Sequence, residues 1–177
     1  MIGIQNNMKS KGFTLVEMLV TVLIFSIIIG TGTGVFVSAI KLQKYNLTHQ
    51  QLLNQTSYVM EYIARAIRMA KKDVIGCIDG SNYLETANSI KFATYNDQCW
   101  KFFLENAQLK IDKDGIIYEL SSSDFQVSSF TVSVSGDVAD DNLQPRVTIF
   151  MEIEGQGPGS QPRLKIQTTI SQRNLDF

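Results

Sequence analysis

From Phe13 to Ile40 the chain runs FTLVEMLVTVLIFSIIIGTGTGVFVSAI, 28 residues in which Glu17 is the only ionisable side chain. No other stretch restricts the possible folds as much. As an α-helix rising 1.5 Å per residue it reaches about 42 Å, beyond the hydrocarbon thickness of about 30 Å that a spanning helix must cross. A buried core helix is the alternative, but such a helix needs neither this length nor this absence of charge. Lys9 and Lys11 precede the run, so the positive-inside rule keeps the short N-terminus in the cytoplasm and sends the remainder outward. A cleaved secretory signal also starts with basic and then apolar residues, and Val37-Ser38-Ala39 loosely fits its small-residue cleavage site. The run is longer than the usual apolar region of roughly 7–15 residues and carries a carboxylate near its start, which makes cleavage near Ala39 the weaker reading.

No turn signal closes the apolar run. Residues 41–72, KLQKYNLTHQQLLNQTSYVMEYIARAIRMAKK, contain neither Gly nor Pro. Leu52, Leu53, Thr56, Met60, Ile63 and Ile67, with Val59 and Ala64 beside them, recur at helical spacing and leave the opposite face polar. The spacing predicts one helix from Phe13 to Lys72, apolar all round in its first half and on one face in its second. Downstream the period changes to two. Ser89–Tyr95 and Cys99–Leu104 flank Asn96-Asp97-Gln98, and Leu109–Ile111 and Ile116–Tyr118 flank Asp112-Lys113-Asp114-Gly115, two hairpin candidates. Phe125–Val134 alternates with a phase slip at Ser128-Ser129 that marks a bulge, and Val147–Ile153 and Leu164–Ile170 alternate without one. A long helix followed by a run of strands predicts an α+β fold, the amphipathic half of the helix covering an antiparallel sheet.

The average composition conceals unlike regions. The formal net charge is -1 over 177 residues. Residues 41–72 hold six basic side chains against Glu61, whereas residues 73–177 hold eight basic and fifteen acidic ones. A head this acidic argues against nucleic acid as a partner. One His and two Cys leave no set of soft ligands for a metal. His49 reads as an exposed helix residue, Ser121-Ser122-Ser123 lacks the context of a nucleophile, and Gly155-Gln156-Gly157-Pro158-Gly159 reads as a connection without a phosphate cradle. Asp112-Lys113-Asp114-Gly115 reads as a turn, since the rest of a calcium loop is missing, and Asp137, Asp140 and Asp141 read as a solvated acidic loop. Asn46-Leu47-Thr48 and Asn54-Gln55-Thr56 match glycosylation sequons but fall within the expected helix. With no constellation of acid, base and nucleophile in view, the expectation is a structural protein: no catalytic residue, no cofactor, no metal and no small-molecule substrate. Cys77 and Cys99 are expected to pair if the head lies in an oxidising compartment, and to stay as two thiols if it does not.

The junction Lys11-Gly12-Phe13-Thr14-Leu15-Val16-Glu17, followed by the unbroken apolar run, resembles the class III signal of type IV pilins and of the pseudopilins of type II secretion. The resemblance covers the short basic leader ending in Gly, the Phe after it, the Glu five residues into the mature chain and the apolar helix. It implies the pilin fold, divided here into a leader (1–12), a membrane and assembly helix (13–40), an amphipathic helix entering the head (41–72) and a β-sheet head (73–177). It also implies cleavage by a prepilin peptidase between Gly12 and Phe13, N-methylation of Phe13, and pairing of Glu17 with the N-terminal amine of an adjacent subunit. The implied partners are that peptidase, other pilin or pseudopilin subunits, an inner-membrane assembly platform and membrane lipid. The implied location is the inner membrane, single-pass with the N-terminus in the cytoplasm, and then an extracellular pilus or periplasmic pseudopilus. The ending Thr168-Thr169-Ile170-Ser171-Gln172-Arg173-Asn174 looks similar to minor pilins of the W type and to the J-type pseudopilin, which points to a minor subunit. A pilus-tip adhesin or DNA-capturing competence pilin is the alternative.

The chemistry of the junction stands without the resemblance. A peptidase at the membrane surface needs a small residue before the scissile bond, and Gly12 supplies it. The amine released on Phe13 would oppose the macrodipole of the helix it begins, and a carboxylate nearby compensates. Glu17 unpaired in lipid costs several kcal/mol, unless it snorkels to the interface about one turn away. Gly30-Thr31-Gly32-Thr33-Gly34 weakens the helix by roughly 1 kcal/mol per Gly, which favours local melting, yet Gly30 and Gly34 also form a G-x-x-x-G pair suited to close helix packing.

Overall fold

One continuous helix, α1, occupies Leu15–Arg68, as the apolar run and the stripe after it require. The computed structural model describes residues 12–73, 75–137, 143–157 and 161–173. These fall into two units, 1–44 and 45–177, each served by its own part of α1. In the first unit every described side chain from Gly12 to Lys44 is exposed, including Phe13, Leu23, Phe25 and Phe36. The helix passes through Gly30, Gly32 and Gly34 without a break. Its hydroxyls turn inward on their own backbone. Thr21 donates to the Met18 carbonyl, Ser26 to Val22, Thr31 to Ile27 and Ile28, Thr33 to Ile29 and Ser38 to Gly34, at 2.8–3.1 Å. Such back-bonding satisfies in the chain itself the polar groups that lipid could not.

In the second unit α1 buries Leu52, Thr56, Val59, Met60, Ile63 and Ile67. Leu53, expected on this face, is 37% exposed, and Ala64 is half-buried. With about 100° per residue, Leu53 is turned a quarter of a circle or more from Leu52, and the stripe follows 52, 56, 59, 60, 63 and 67. Buried Thr56 keeps its hydroxyl satisfied on the Leu52 carbonyl at 2.7 Å.

The helix ends at Arg68 and not at Lys72, and tertiary partners end it. Tyr83 Oη donates to the Ile67 carbonyl at 2.9 Å, the Arg173 amide to the Arg68 carbonyl at 2.9 Å and Gln172 Nε2 to the Ala70 carbonyl at 3.1 Å. Lys71 then leaves the helical path altogether and forms a β-bridge with Ala93. The orphan carbonyls of a helix C-terminus are thus taken by the sheets and not by a glycine cap.

Among the described residues eight strands follow: β1 Tyr83–Thr86, β2 Ser89–Ala93, β3 Cys99–Glu105, β4 Gln108–Lys113, β5 Ile116–Glu119, β6 Phe125–Ser135, β7 Arg146–Gly155 and β8 Arg163–Ser171. All pairings are antiparallel, and they build two sheets where the sequence predicts one: a meander β1-β2-β3-β4-β5 and a second meander β6-β7-β8. β1, with only Tyr83 buried, has no alternation to announce it. Both expected hairpins form, the first with its leading strand ending at Ala93 instead of Tyr95 and its turn widened to 94–98. The phase slip is a bulge between Val127 and Ser129. β6 passes by the first sheet, its Val127 amide donating to the Ala107 carbonyl at the β3–β4 turn and its Val134 amide to the Glu85 carboxylate on β1. Ile63 and Ile67 of α1, Phe92 and Phe102 of the first sheet, and Phe130, Ile149 and Met151 of the second close a single core.

Candidate functional site

The start of α1 carries the expected functional residues. Among the described residues, Gly12 has no heavy atom within 4 Å of where a Cβ would stand. Phe13 is 75% exposed. Thr14 and Glu17 join across the first turn. The Glu17 amide donates to Thr14 Oγ1 at 3.3 Å, while the Thr14 amide and hydroxyl face Glu17 Oε2 at 3.4 and 3.5 Å. This is a capping box, in which a Thr at the N-cap and a Glu three residues on satisfy each other's end of the helix. The T-x-x-E spacing ahead of an apolar run carried that signal, and the sequence reading above gives Glu17 only the amine and the interface as partners. The contacts are long for hydrogen bonds. They hold the carboxylate locally without saturating it.

The first of the comparisons decides what this segment is. The model of the prokaryotic N-terminal methylation motif matches residues 7–33. The chain carries the hallmark motif of type IV pilins and pseudopilins. No curated protein and no solved structure matches it. The motif is that of structural subunits, and in pilins it implies processing by a prepilin peptidase and assembly with other pilin subunits. α1 is long and apolar enough to cross a membrane, which together with the motif fits anchoring in the inner membrane.

In the head, Cys77 and Cys99 are joined as a disulfide with 5.8 Å between their Cα atoms. The bond ties the loop after α1 to the start of β3. A residue that the sequence reading passed over shapes that loop. Asp73, 6% exposed, accepts from the Ile75 amide at 3.0 Å and the Ile78 amide at 2.6 Å. Its own amide donates to the Ser81 carbonyl at 3.0 Å, so one residue holds both ends of the loop in which Cys77 sits. Burial pushes the Asp73 carboxyl up, but the amides of Ile78, Ile75, Cys77 and Gly80 together outweigh it and hold the group below its ordinary value of 3.8. An acidic residue just past a helix, with glycines at 76 and 80, was the available signal, and it is a weak one.

The remaining candidates resolve into structure. Asp112 accepts from the Gly115 amide at 2.7 Å and Asp114 from the Cys99 amide at 2.8 Å, while Asp114 and Gly115 take φ of 52° and 89°. The segment is the β4–β5 turn, as expected. Asp137, expected in a solvated loop, accepts from the amides of Asn82 and Tyr83 at 3.2 and 3.4 Å and anchors the start of β1. Asp140 and Asp141 lie outside the described residues. His49 is half-buried on α1 and not exposed. Ser121 Oγ, buried, donates to Gln108 Oε1 at 2.8 Å and accepts from the Leu109 amide at 3.0 Å, a structural role. Among the described residues, no group of three His, Cys, Asp or Glu side chains is placed to hold a metal ion.

Proposed function

We propose that this chain is a minor subunit of a type IV pilus or type II secretion pseudopilus. It is stored in the inner membrane with its N-terminus in the cytoplasm, cleaved between Gly12 and Phe13, methylated on the new Phe13 amine and packed into a filament through α1. The observation that carries the reading is the methylation motif over residues 7–33 leading without interruption into a helix whose side chains are all exposed as far as Lys44. An apolar surface of this extent is stable only in lipid or against other helices. Storage and assembly supply these two environments in turn.

In this reading Glu17 changes partners. In the stored chain its carboxylate rests on Thr14 in the capping box. In the filament it meets the Phe13 amine of the neighbouring subunit, a charged donor that adds an ion pair to the hydrogen bond. Leaving long, weak contacts for an ion pair in a dry helix bundle favours assembly and sets the axial register. The basic stretch 41–72 and the acidic head give successive subunits opposite charges to stack, a weak but repeated contribution. The ending Thr168–Asn174 supports the minor-subunit assignment through its likeness to minor pilins of the W type and the J-type pseudopilin.

Co-expression with a prepilin peptidase, followed by intact-mass measurement of the membrane fraction, tests the reading. The expected product begins at Phe13, ends at Phe177 and is heavier by one methyl group. A chain that keeps residues 1–12, or one cut near Ala39, overturns it.

A further inference from the structure

The last turns of α1 and the β2–β3 turn border a cavity of about 280 Å³ that is open to solvent. Its wall is aromatic. Tyr62 of α1 and Trp100 of β3 lie with ring planes 14° apart and centroids 6.5 Å apart, and Tyr95, 66% exposed, stands at the mouth. The core needs none of this last ring, since Tyr95 lies on the turn beyond the end of β2. Trp100 Nε1 is buried and meets no acceptor among the described residues. A buried indole N–H without a partner costs of order 1–3 kcal/mol, so a site that retains one invites an explanation.

The rim combines hydrogen bonding with charge balance. The amides of Asn96 and Gln98 present donors and acceptors from the turn, and Arg65 reaches the cavity already paired with Glu61 at 2.7 Å. Asp97, between the two amides, is paired with Lys71. Lys113 lies 4.4 Å from the Trp100 centroid and 5.6 Å from that of Tyr62, outside the cavity lining, where it steadies the ring pair. The turn itself is fixed. Thr94 and Gln98 exchange backbone and hydroxyl bonds at 2.8 and 3.2 Å, Lys71 clamps Asp97, and the Cys77–Cys99 bond lies one residue beyond. A preformed pocket with an aromatic wall and a few convergent polar groups is the usual form of a small-ligand site.

We propose that this cavity binds a neutral sugar ring, as the end or a unit of an oligosaccharide. A pyranose has an apolar C–H face for Tyr62 and Trp100 and a hydroxyl edge. That edge offers both donors and acceptors to the side chains of Asn96 and Gln98. Rim charges that are already paired favour a neutral ligand over a phosphate chain, whose binding would need free cations and fall steeply with salt. The inference is independent of how the chain is processed or assembled, because every residue in it belongs to the unit 45–177.

Trp100 is the only tryptophan, so its fluorescence reports on this cavity alone. The full chain in phosphocholine micelles, a detergent without sugar, is titrated with maltotetraose, cellotetraose and chitotetraose, and separately with an oligothymidylate. The expected result is a saturable change in Trp100 emission with at least one tetrasaccharide, at an affinity that holds between low and high salt. Tyr95→Ala and Asn96→Ala, both on the exposed turn, should each weaken it about tenfold, the loss of roughly 1.4 kcal/mol, without shifting the melting temperature. No response to any of the three sugars at about 10 mM, where even a millimolar site would be filled, overturns the proposal. So does a salt-sensitive response to the oligothymidylate alone, or a sugar response that Tyr95→Ala and Asn96→Ala leave intact.

Discussion

Replacing Asp73 tests whether one buried carboxylate organises the passage from helix to sheet. The side chain is 6% exposed and accepts two backbone amides, at 2.6 and 3.0 Å. Hydrogen bonds to a charged acceptor contribute about 1.5–3 kcal/mol each, and removing the carboxylate also relieves its desolvation, so the net cost of Asp73→Ala is about 2–4 kcal/mol. For a chain of this size that corresponds to a fall in melting temperature of roughly 4–16 °C. Asp73→Asn keeps one acceptor oxygen and should fall between wild type and Asp73→Ala. The assay is thermal unfolding of the full chain in micelles, followed through Trp100, which lies in β3 and reports on the head. The pH dependence is a second measurement on the same residue. Because the folded carboxyl is held below 3.8, its contribution is fully present above that pH and is lost as the pH falls through the folded value. The wild type should therefore lose stability relative to Asp73→Asn on acidification below about 3.8. If Asp73→Ala melts within about 1 °C of wild type, the loop is held by something else and the reasoning fails.

Three further perturbations separate the remaining contributions. Cys77→Ser with Cys99→Ser opens a loop of sequence separation 22, and should cost about 3 kcal/mol by the loop-entropy relation, read as the gap between melts of the double variant and of the oxidised wild type. Ile63, fully buried, and Leu53, 37% exposed, differ only in which side of α1 they occupy. Ile63→Ala should cost about 2–5 kcal/mol and Leu53→Ala no more than about 1 kcal/mol, and equal losses in denaturant titrations would contradict the face assigned to the helix. Glu17→Gln keeps the acceptor for Thr14 but removes the charge. It should insert and be cleaved normally yet be depleted in sheared filaments by about tenfold or more, and filament recovery at the wild-type level would remove the ion pair from the account.

What could be read from the sequence was whatever one-dimensional periodicity records. The apolar run to Ile40, the stripe from Leu52 to Ile67, the alternation in β7 and β8 and the phase slip at Ser128-Ser129 are each a local pattern with one geometric meaning, and each appears in the structure. The motif around Gly12, Phe13 and Glu17 was legible for the same reason, since its residues follow one another along a single helix start. The pairing of Cys77 with Cys99 needed only the compartment and two thiols. The T-x-x-E capping box is equally local, since Thr14 and Glu17 lie three residues apart on the first turn.

Tertiary structure decided what depends on partners distant in the chain. The end of α1 at Arg68 is set by Tyr83, Gln172 and Arg173, which take its last carbonyls, and no residue near Lys72 announces it. The division of the strands into two sheets follows from how β6 passes by the first one, held at Ala107 and Glu85, contacts that no periodicity encodes. Asp73 and Asp137 look like ordinary surface carboxylates until the fold brings backbone amides to them. The aromatic cavity is assembled from Tyr62, Tyr95 and Trp100, which lie on a helix, a turn and a strand. Local pattern thus specified α1 and most of the strands, and which part of α1 is apolar all round, because burial on one face repeats with the backbone period. Where elements stop, and which polar groups they buried, was settled only when the surfaces met, because a hydrogen-bond donor or acceptor is satisfied by whatever atom packing places beside it.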